Sequence, residues 1–191
     1  MSDNLKTANR TELVASKNVI EMLTVANEFC HFLENAETYG KHDVLSFIQK
    51  VSPLLYIKGA LMPKVLEETT EANERFVNEE QWSEVYNCMK EKFGEDDVFF
   101  NTDVYNDENV LIKSSIAEHL ADVYQDLKDF LMLYKKGLLP AQENAIQECV
   151  NLFERHWGIR IVAAQKAVHQ VLFKDKLKED ESEFYKGPEL F

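Results

Sequence analysis

The chain has 191 residues, of which 45% are hydrophobic, and it carries a formal net charge of −13. A chain of this length and composition can bury one sizeable core, so we expect a single domain. Binding to nucleic acid or to an anionic membrane needs clustered Lys and Arg, and the charge therefore argues against both as partners. Basic partners or metal cations fit the charge better.

The cysteines and the N-terminal segment indicate a compartment. Cys30, Cys88 and Cys149 are far apart and odd in number, which matches neither a zinc site nor a disulfide framework. We expect them to be reduced. The first twelve residues contain no apolar segment of a secretory signal, and no window approaches about eighteen consecutive apolar residues. The sequence therefore predicts a cytoplasmic protein.

The N-terminal part of the chain is predicted to form an arm and then two helices. Residues 1–17 are polar and weakly patterned, which is typical of a flexible arm. Asn18 and Glu21 have the spacing of a capping box, so the first helix should begin there, and Gly40 should end it as a left-handed cap. Asp43 is placed to cap the second helix.

Two features interrupt the next part of the chain. Pro53 lacks an amide donor, so the second helix should be kinked or should restart with Ser52 as its cap. An acidic segment, Glu67 to Glu74, should form a short surface helix. The pattern then becomes clear again, since Asn78 and Gln81 form a capping box.

The helix that begins at Asn78 should end at Gly94. Residues 95–114 follow without helical periodicity and are rich in acidic and aromatic residues. We interpret them as one long acidic loop, a feature that is uncommon inside compact domains unless it is functional.

The stretch from Ser115 to Lys136 has the strongest pattern in the chain. Ser115 and Glu118 form a capping box, and one face of the helix is apolar. The residues of that face are Ile116, Leu120, Val123, Leu127, Phe130, Leu131 and Tyr134. The last helix should run over residues 141–173, where Gly158 indicates close contact with a neighbouring helix.

The predicted elements define a fold class. We expect an all-α, single-domain bundle of five or six helices over residues 18–173, followed by a charged C-terminal tail over residues 174–191.

A second stripe on the 115–136 helix is acidic. Glu118, Asp122 and Asp129 recur at helical spacing opposite the apolar face, with Asp126 beside them. Such a stripe is most simply a solvated surface. The alternative is a central helix with both faces buried, whose carboxylates bind a divalent cation through oxygen.

Two cations lie where the helical pattern calls for apolar residues. Lys58 and Arg160 either extend to water or need a carboxylate or an anionic ligand beside them, and His156 borders the same stripe as Arg160. Lys58, Asp122, Asp126, His156 and Arg160 are therefore our candidates for a buried ion-pair network or a ligand site.

Two stretches resemble the all-α nucleoside triphosphate pyrophosphohydrolases. EHLADVY, residues 118–124, is similar to the second metal-binding motif of that family, and the region around Glu67 and Glu71 is similar to the first. The resemblance implies a magnesium site built from Glu67, Glu71, Glu118 and Asp122. His119 departs from the motif, because that family has a glutamate there.

Four stretches together resemble another family. They are VANEFCHFLE (25–34), PLLYIKGALMP (53–63), HLADVYQDLKDF (119–130) and HWGIRIVAAQKAVH (156–169). They resemble an uncharacterised bacterial family, domain of unknown function 5063. This resemblance implies an all-helical cytoplasmic protein, and it implies neither an activity nor catalytic residues.

The sequence leaves three functional hypotheses open. The first is an acidic binding protein that takes a partner protein or a small anionic ligand held by Lys58 and Arg160, with no cofactor. The second is the magnesium-dependent pyrophosphohydrolase. The third is a purely structural domain that self-associates, for example as a homodimer. The sequence contains no glycine-flanked serine and no Gly-rich phosphate loop, which argues against an enzyme.

Overall fold

The structure, a computed structural model, describes residues 10–65, 74–102 and 111–174. The fold is an all-α bundle, as predicted. Its elements, in chain order, are α1 (Lys17–Glu34), α2 (Lys41–Ala60), α3 (Glu79–Phe93), β1 (Val98–Thr102), β2 (Leu111–Ser115), α4 (Ile116–Lys135), α5 (Leu139–Leu152) and α6 (Gly158–Leu172). Within the described ranges, no helix is both long and apolar enough to cross a bilayer.

Part of the predicted arm is ordered against the bundle. Residues 10–14 form a helical turn, and Val14 is buried. The Arg10 guanidinium forms an ion pair with Glu143, a residue of α5 that is only 2% exposed. Tyr134 of α4 donates a hydrogen bond to the Val14 carbonyl oxygen at 2.9 Å. These contacts join the start of the described chain to the central helices.

The boundaries of the first two helices differ from the prediction. Helix α1 begins at Lys17, and the Asn18 side chain instead donates a hydrogen bond to the Leu61 carbonyl oxygen. Gly40 is the N-cap of α2 with φ −71°, so it is not a left-handed cap, and Asp43 lies in the first turn of that helix. The predicted roles of Asn18 and Gly40 are therefore wrong, whereas Asp43 does help to cap α2, because its carboxylate accepts a hydrogen bond from the Gly40 amide at 3.3 Å.

Pro53 does not interrupt helix α2, which is continuous from Lys41 to Ala60. Ser52 is therefore not a cap. Its hydroxyl is fully buried and donates to the Ile48 carbonyl oxygen at 2.7 Å, which satisfies the serine inside the helix. The predicted restart at Ser52 is wrong because tertiary packing of α2 outweighs the cost of one missing amide donor.

The caps of the next two helices are confirmed. Asn78 and Gln81 exchange side-chain and backbone hydrogen bonds at the start of α3. Gly94 follows the end of α3 with a positive φ of 57°. Ser115 caps α4 by accepting a hydrogen bond from the Glu118 amide at 3.1 Å.

The predicted acidic loop contains a two-stranded antiparallel hairpin. Strand β1 pairs with β2 in a register that sets Phe100 opposite Lys113. Asp97, just before β1, accepts hydrogen bonds from the Ser115 hydroxyl and the Ala117 amide, so it helps to cap α4. The interpretation of 95–114 as one long loop is therefore wrong for the two strands, whereas residues 103–110 lie outside the described residues.

The predicted last helix is two helices joined by a π-helical turn, Phe153–Trp157. A Cβ on Gly158 would lie 2.3 Å from the carbonyl oxygen of Phe153, in the helix's own preceding turn. The close helix–helix contact lies instead at Gly59, where a Cβ would lie 2.4 Å from the Trp157 ring. The prediction for Gly158 was therefore wrong, since this glycine accommodates the π turn.

Candidate functional site

Helix α4 is central, because it packs against α1, α3, α5 and α6. Its acidic stripe faces these neighbours: Asp126 and Asp129 are 4% and 6% exposed, and Asp122 is half-buried. Glu118 alone of the four is exposed. The interpretation as a solvated surface is therefore wrong for the three aspartates, since both faces of the helix are covered.

Asp122 joins three helices through its two carboxylate oxygens. One oxygen accepts from the indole Nε1 of Trp82 on α3 at 3.0 Å, and the other accepts from the Nε of Arg160 on α6 at 2.7 Å. Arg160 is 29% exposed, so its charge is paired near the rim of the bundle.

Asp126 lies one turn further along α4 and is bonded to His156. Its Oδ2 is 2.5 Å from the His156 Nδ1. His156 belongs to the π turn, a distortion that is often found at functional sites in helices. Burial raises the pKa of Asp126, although His156 and the nearby Arg75 act in the opposite direction.

Asp129 holds the segment that precedes α3. Its Oδ1 accepts hydrogen bonds from the backbone amides of Phe76 and Val77 at 2.7 and 2.9 Å. Its Oδ2 accepts from the Arg75 guanidinium at 3.2 Å. The Arg75 guanidinium also lies 3.6 Å from Asp126 and 3.6 Å from Glu148 of α5, so it is shared among three carboxylates.

A cavity of about 60 Å³ lies beside these groups. We call it the carboxylate cavity. Its polar side is formed by Glu74, Arg75, Asp126, Asp129 and Glu148, and its apolar side by Phe130, Leu133, Ala145, Cys149 and Leu152. Four carboxylates therefore meet one guanidinium at a partly apolar space.

One carboxylate oxygen on the cavity is only loosely paired. Asp126 Oδ2 is bonded to His156, but the nearest cation to Asp126 Oδ1 is Arg75 at 3.6 Å, beyond hydrogen-bond distance. A carboxylate buried to this degree normally has its lone pairs occupied.

His119 of α4 has an unsatisfied side chain. Both of its ring nitrogens are shielded from solvent and have no hydrogen-bond partner in the described part of the chain. The ring contacts Phe99 of β1 edge-on, with centroids 5.4 Å apart. Burial lowers the pKa of His119, and the positive charge of Arg160 acts in the same direction.

The structure brings Asp122, Asp126, His156 and Arg160 together but places Lys58 elsewhere. The Lys58 ammonium lies 2.8 Å from Glu21 of α1, in a separate ion pair. Lys58 and Arg160 therefore do not form one cationic site.

Of the residues implied for magnesium, the structure describes Glu118 and Asp122. Glu67 and Glu71 lie outside the described residues, and Glu118 is exposed. Both oxygens of Asp122 already accept hydrogen bonds from Trp82 and Arg160. In residues 10–65, 74–102 and 111–174, no group of three His, Cys, Asp or Glu side chains has the geometry of a metal site.

Three charged residues of the cluster, Glu74, Arg75 and Glu148, were missed by the sequence analysis. Arg75 follows an acidic segment expected on the surface, and Glu148 lies on the polar side of α5 beside the core residue Cys149. The one available signal for Arg75 was its isolation, since it is the first cation after the acidic residues of 67–74. No signal in the sequence pointed to Glu148.

Comparisons with known proteins agree with the fold. The solved structure of protein BF1032 from Bacteroides fragilis is similar at 34% identity and a TM-score of 0.75, over 83% of this chain and 94% of that one. No curated protein matches the chain. A family model described as Domain of unknown function (DUF5063) matches residues 14–174, which is most of the chain and confirms the resemblance seen in the sequence. The chain therefore belongs to the DUF5063 family.

Proposed function

We propose that the protein is a binding protein whose carboxylate cavity takes a small organic cation, an amine or a guanidinium compound with a short apolar part. The observation that carries the proposal is the loosely paired Oδ1 of Asp126, a 4% exposed carboxylate on a cavity of about 60 Å³, whose nearest cation is Arg75 at 3.6 Å. A water molecule needs roughly 10–15 Å³ of such space, so the cavity admits the head group of a small ligand.

The charges around the cavity determine the sign of the ligand. Four carboxylates line the cavity, namely those of Glu74, Asp126, Asp129 and Glu148, and they outnumber the three cations that pair with them, Arg75, Lys136 and Arg155. Carboxylates in a partly dehydrated site are stabilised by a positive partner and destabilised by a negative one. The apolar side of the cavity then favours a ligand with a short hydrocarbon part over a bare metal ion.

Arg75 leaves room for such a ligand to compete. Its side chain is 56% exposed, and only the contact with Asp129 among its three carboxylate contacts is within hydrogen-bond distance. An arginine held this loosely can move aside without exposing a large apolar surface, and the incoming cation replaces its charge.

The two cations suggested for an anionic ligand support that alternative less well. Lys58 is neutralised by Glu21, and Arg160 is neutralised by Asp122. Each pair has no net charge, so neither one attracts an anion strongly.

Thermal unfolding with added ligands tests the proposal. Butylammonium and methylguanidinium chloride, at millimolar concentrations that do not denature proteins, should raise the Tm, whereas sodium butyrate and butanol should not. A ligand at about ten times its Kd stabilises the folded state by about 1.4 kcal/mol. For a domain of this size that corresponds to a Tm rise of about 3–6 °C.

Two variants identify the site. Asp126→Asn keeps the shape of the side chain and should abolish the rise in Tm. Asp122→Asn is the matched control, because it removes one carboxylate from the same helix but not from the cavity, and it should keep the rise. The proposal fails if no cation changes the Tm of the parent, or if both variants respond like the parent.

We further propose that the protein works in the cytoplasm. Cys30, Cys88 and Cys149 are free thiols, and burial raises the pKa of the Cys30 and Cys149 thiols, which makes them unreactive. Unpaired cysteines are typical of reducing compartments. Fractionation of the source cells is the measurement that decides this.

A further inference from the structure

An open groove between α1 and α3 has a strongly acidic lining. Its volume is about 1000 Å³, at the upper end of the range for ligand clefts. Glu84 and Glu91 lie on the α3 side, two helical turns apart, and Glu34 and Glu37 lie on the opposite side. We call this the acidic groove. It is separate from the carboxylate cavity.

The charge of the groove is largely unbalanced. Glu34 is neutralised by Lys128 and accepts a hydrogen bond from Tyr124. In the described ranges of the chain, no cation forms an ion pair with Glu37, Glu84 or Glu91. Lys92 also lines the groove, but its ammonium donates a hydrogen bond to the Tyr39 carbonyl oxygen at 2.7 Å and does not pair with a glutamate of the groove.

The floor of the groove is apolar. Leu33, Val85 and Tyr124 contribute to it, and Cys88 is half-buried there. A floor of this kind between acidic walls suits a segment that presents apolar side chains downward and Lys or Arg side chains to both sides.

We propose that the acidic groove docks a short basic segment of a partner protein. The charge complementarity excludes two other occupants. The chain's own residues 175–191 contain six acidic residues and three lysines, so this tail would be repelled. A second copy of the chain, with its net charge of −13, would be repelled for the same reason.

Fluorescence anisotropy tests this proposal on the full chain. The probe is a fluorescein-labelled twelve-residue peptide that alternates lysine with leucine and alanine, and the comparison peptide has glutamine in place of each lysine. The lysine peptide should bind, and the glutamine peptide should not. Glu84→Gln combined with Glu91→Gln should weaken binding about tenfold, the effect expected for two partly desolvated charge pairs.

A matched double variant separates docking from general attraction. Glu28→Gln combined with Glu118→Gln removes the same charge from two exposed positions that do not line the groove. This control should change the Kd less than twofold. Equal weakening by both double variants would mean general attraction to an acidic protein and would overturn the proposal. So would equal binding of the two peptides, or no binding by the parent.

Because the groove and the cavity share no lining residue, the two proposals fail independently. The groove variants leave the carboxylate cavity intact, and Asp126→Asn leaves the groove intact.

Discussion

Asp129 connects the central helix to the chain that leads into α3. One of its oxygens accepts hydrogen bonds from the backbone amides of Phe76 and Val77, and the bond from Val77 is buried. The same contact sets the position of Arg75 over the carboxylate cavity. A single side chain therefore both stabilises the fold and shapes the site.

We predict that Asp129→Ala lowers the free energy of unfolding by about 2–4 kcal/mol, because it leaves two backbone amides without an acceptor. Asp129→Asn is the matched control. Its amide oxygen still accepts from the backbone and only the charge is lost, so the cost should be about 1 kcal/mol. Urea denaturation measures both values. Equal stability of the alanine and asparagine variants would show that the backbone contacts contribute little.

At the scale of elements, the π turn and the contact between α2 and α6 depend on two glycines. Gly158 allows the Phe153 carbonyl oxygen to approach, and Gly59 allows the Trp157 ring to pack against α2. Trp157 is fully buried, and its indole Nε1 donates to the Cys149 carbonyl oxygen at 3.1 Å. The ring therefore has little freedom to move away.

Gly59→Ala should consequently destabilise the protein by about 1–3 kcal/mol through overpacking. This sign is opposite to that of helix propensity, which alone would favour alanine by about 1 kcal/mol. Thermal unfolding followed by far-UV circular dichroism measures the change. The same substitution in a Trp157→Phe background should cost less, since the smaller ring leaves room. A Gly59→Ala variant at least as stable as the parent would contradict the close contact.

At the scale of the molecule, the features that could be predicted correctly are those that depend on residues close together in the sequence. The caps at Asn78 and Ser115, the end of α3 at Gly94 and the apolar face of α4 are all local, and all are present. The hairpin was missed because its strands are short and carry apolar residues at exposed positions such as Val98 and Phe100, so their sequences lack the apolar–polar alternation that marks a half-buried strand.

The candidate site was harder to predict because it depends on contacts between distant residues. Arg160 reaches Asp122 across 38 residues, and Phe76 reaches Asp129 across 53. A helical wheel shows which residues share a face, but it does not show what covers that face. Lys58 illustrates the same limit, since its partner Glu21 lies 37 residues away on α1.

The pH dependence of stability follows from the buried groups of the whole bundle. The pKa of His119 is lowered from 6.5 by burial, and the charged or titratable groups around it are Asp97 before β1, Asp122 on the same helix, His156 on the π turn and Arg160 on α6. As the pH falls through about 6.5, His119 therefore becomes protonated in the unfolded chain while it is still neutral in the folded chain. Stability contributed by neutral His119 is present above that pH and is lost as the pH falls.

We predict that the free energy of unfolding decreases by up to about 1.4 kcal/mol per pH unit from this group as the pH falls below about 6.5. Asp126 acts oppositely at lower pH, because burial raises its pKa and the folded state takes up a proton on this carboxylate before the unfolded state does.

His119→Phe removes both the titration and the unsatisfied nitrogens, so it should flatten this slope and increase stability at pH 7. His119→Gln should flatten the slope without that increase, since it keeps a buried polar group. Urea denaturation between pH 5 and 8 measures all three proteins, and a slope unchanged in both variants would show that His119 is not the group responsible.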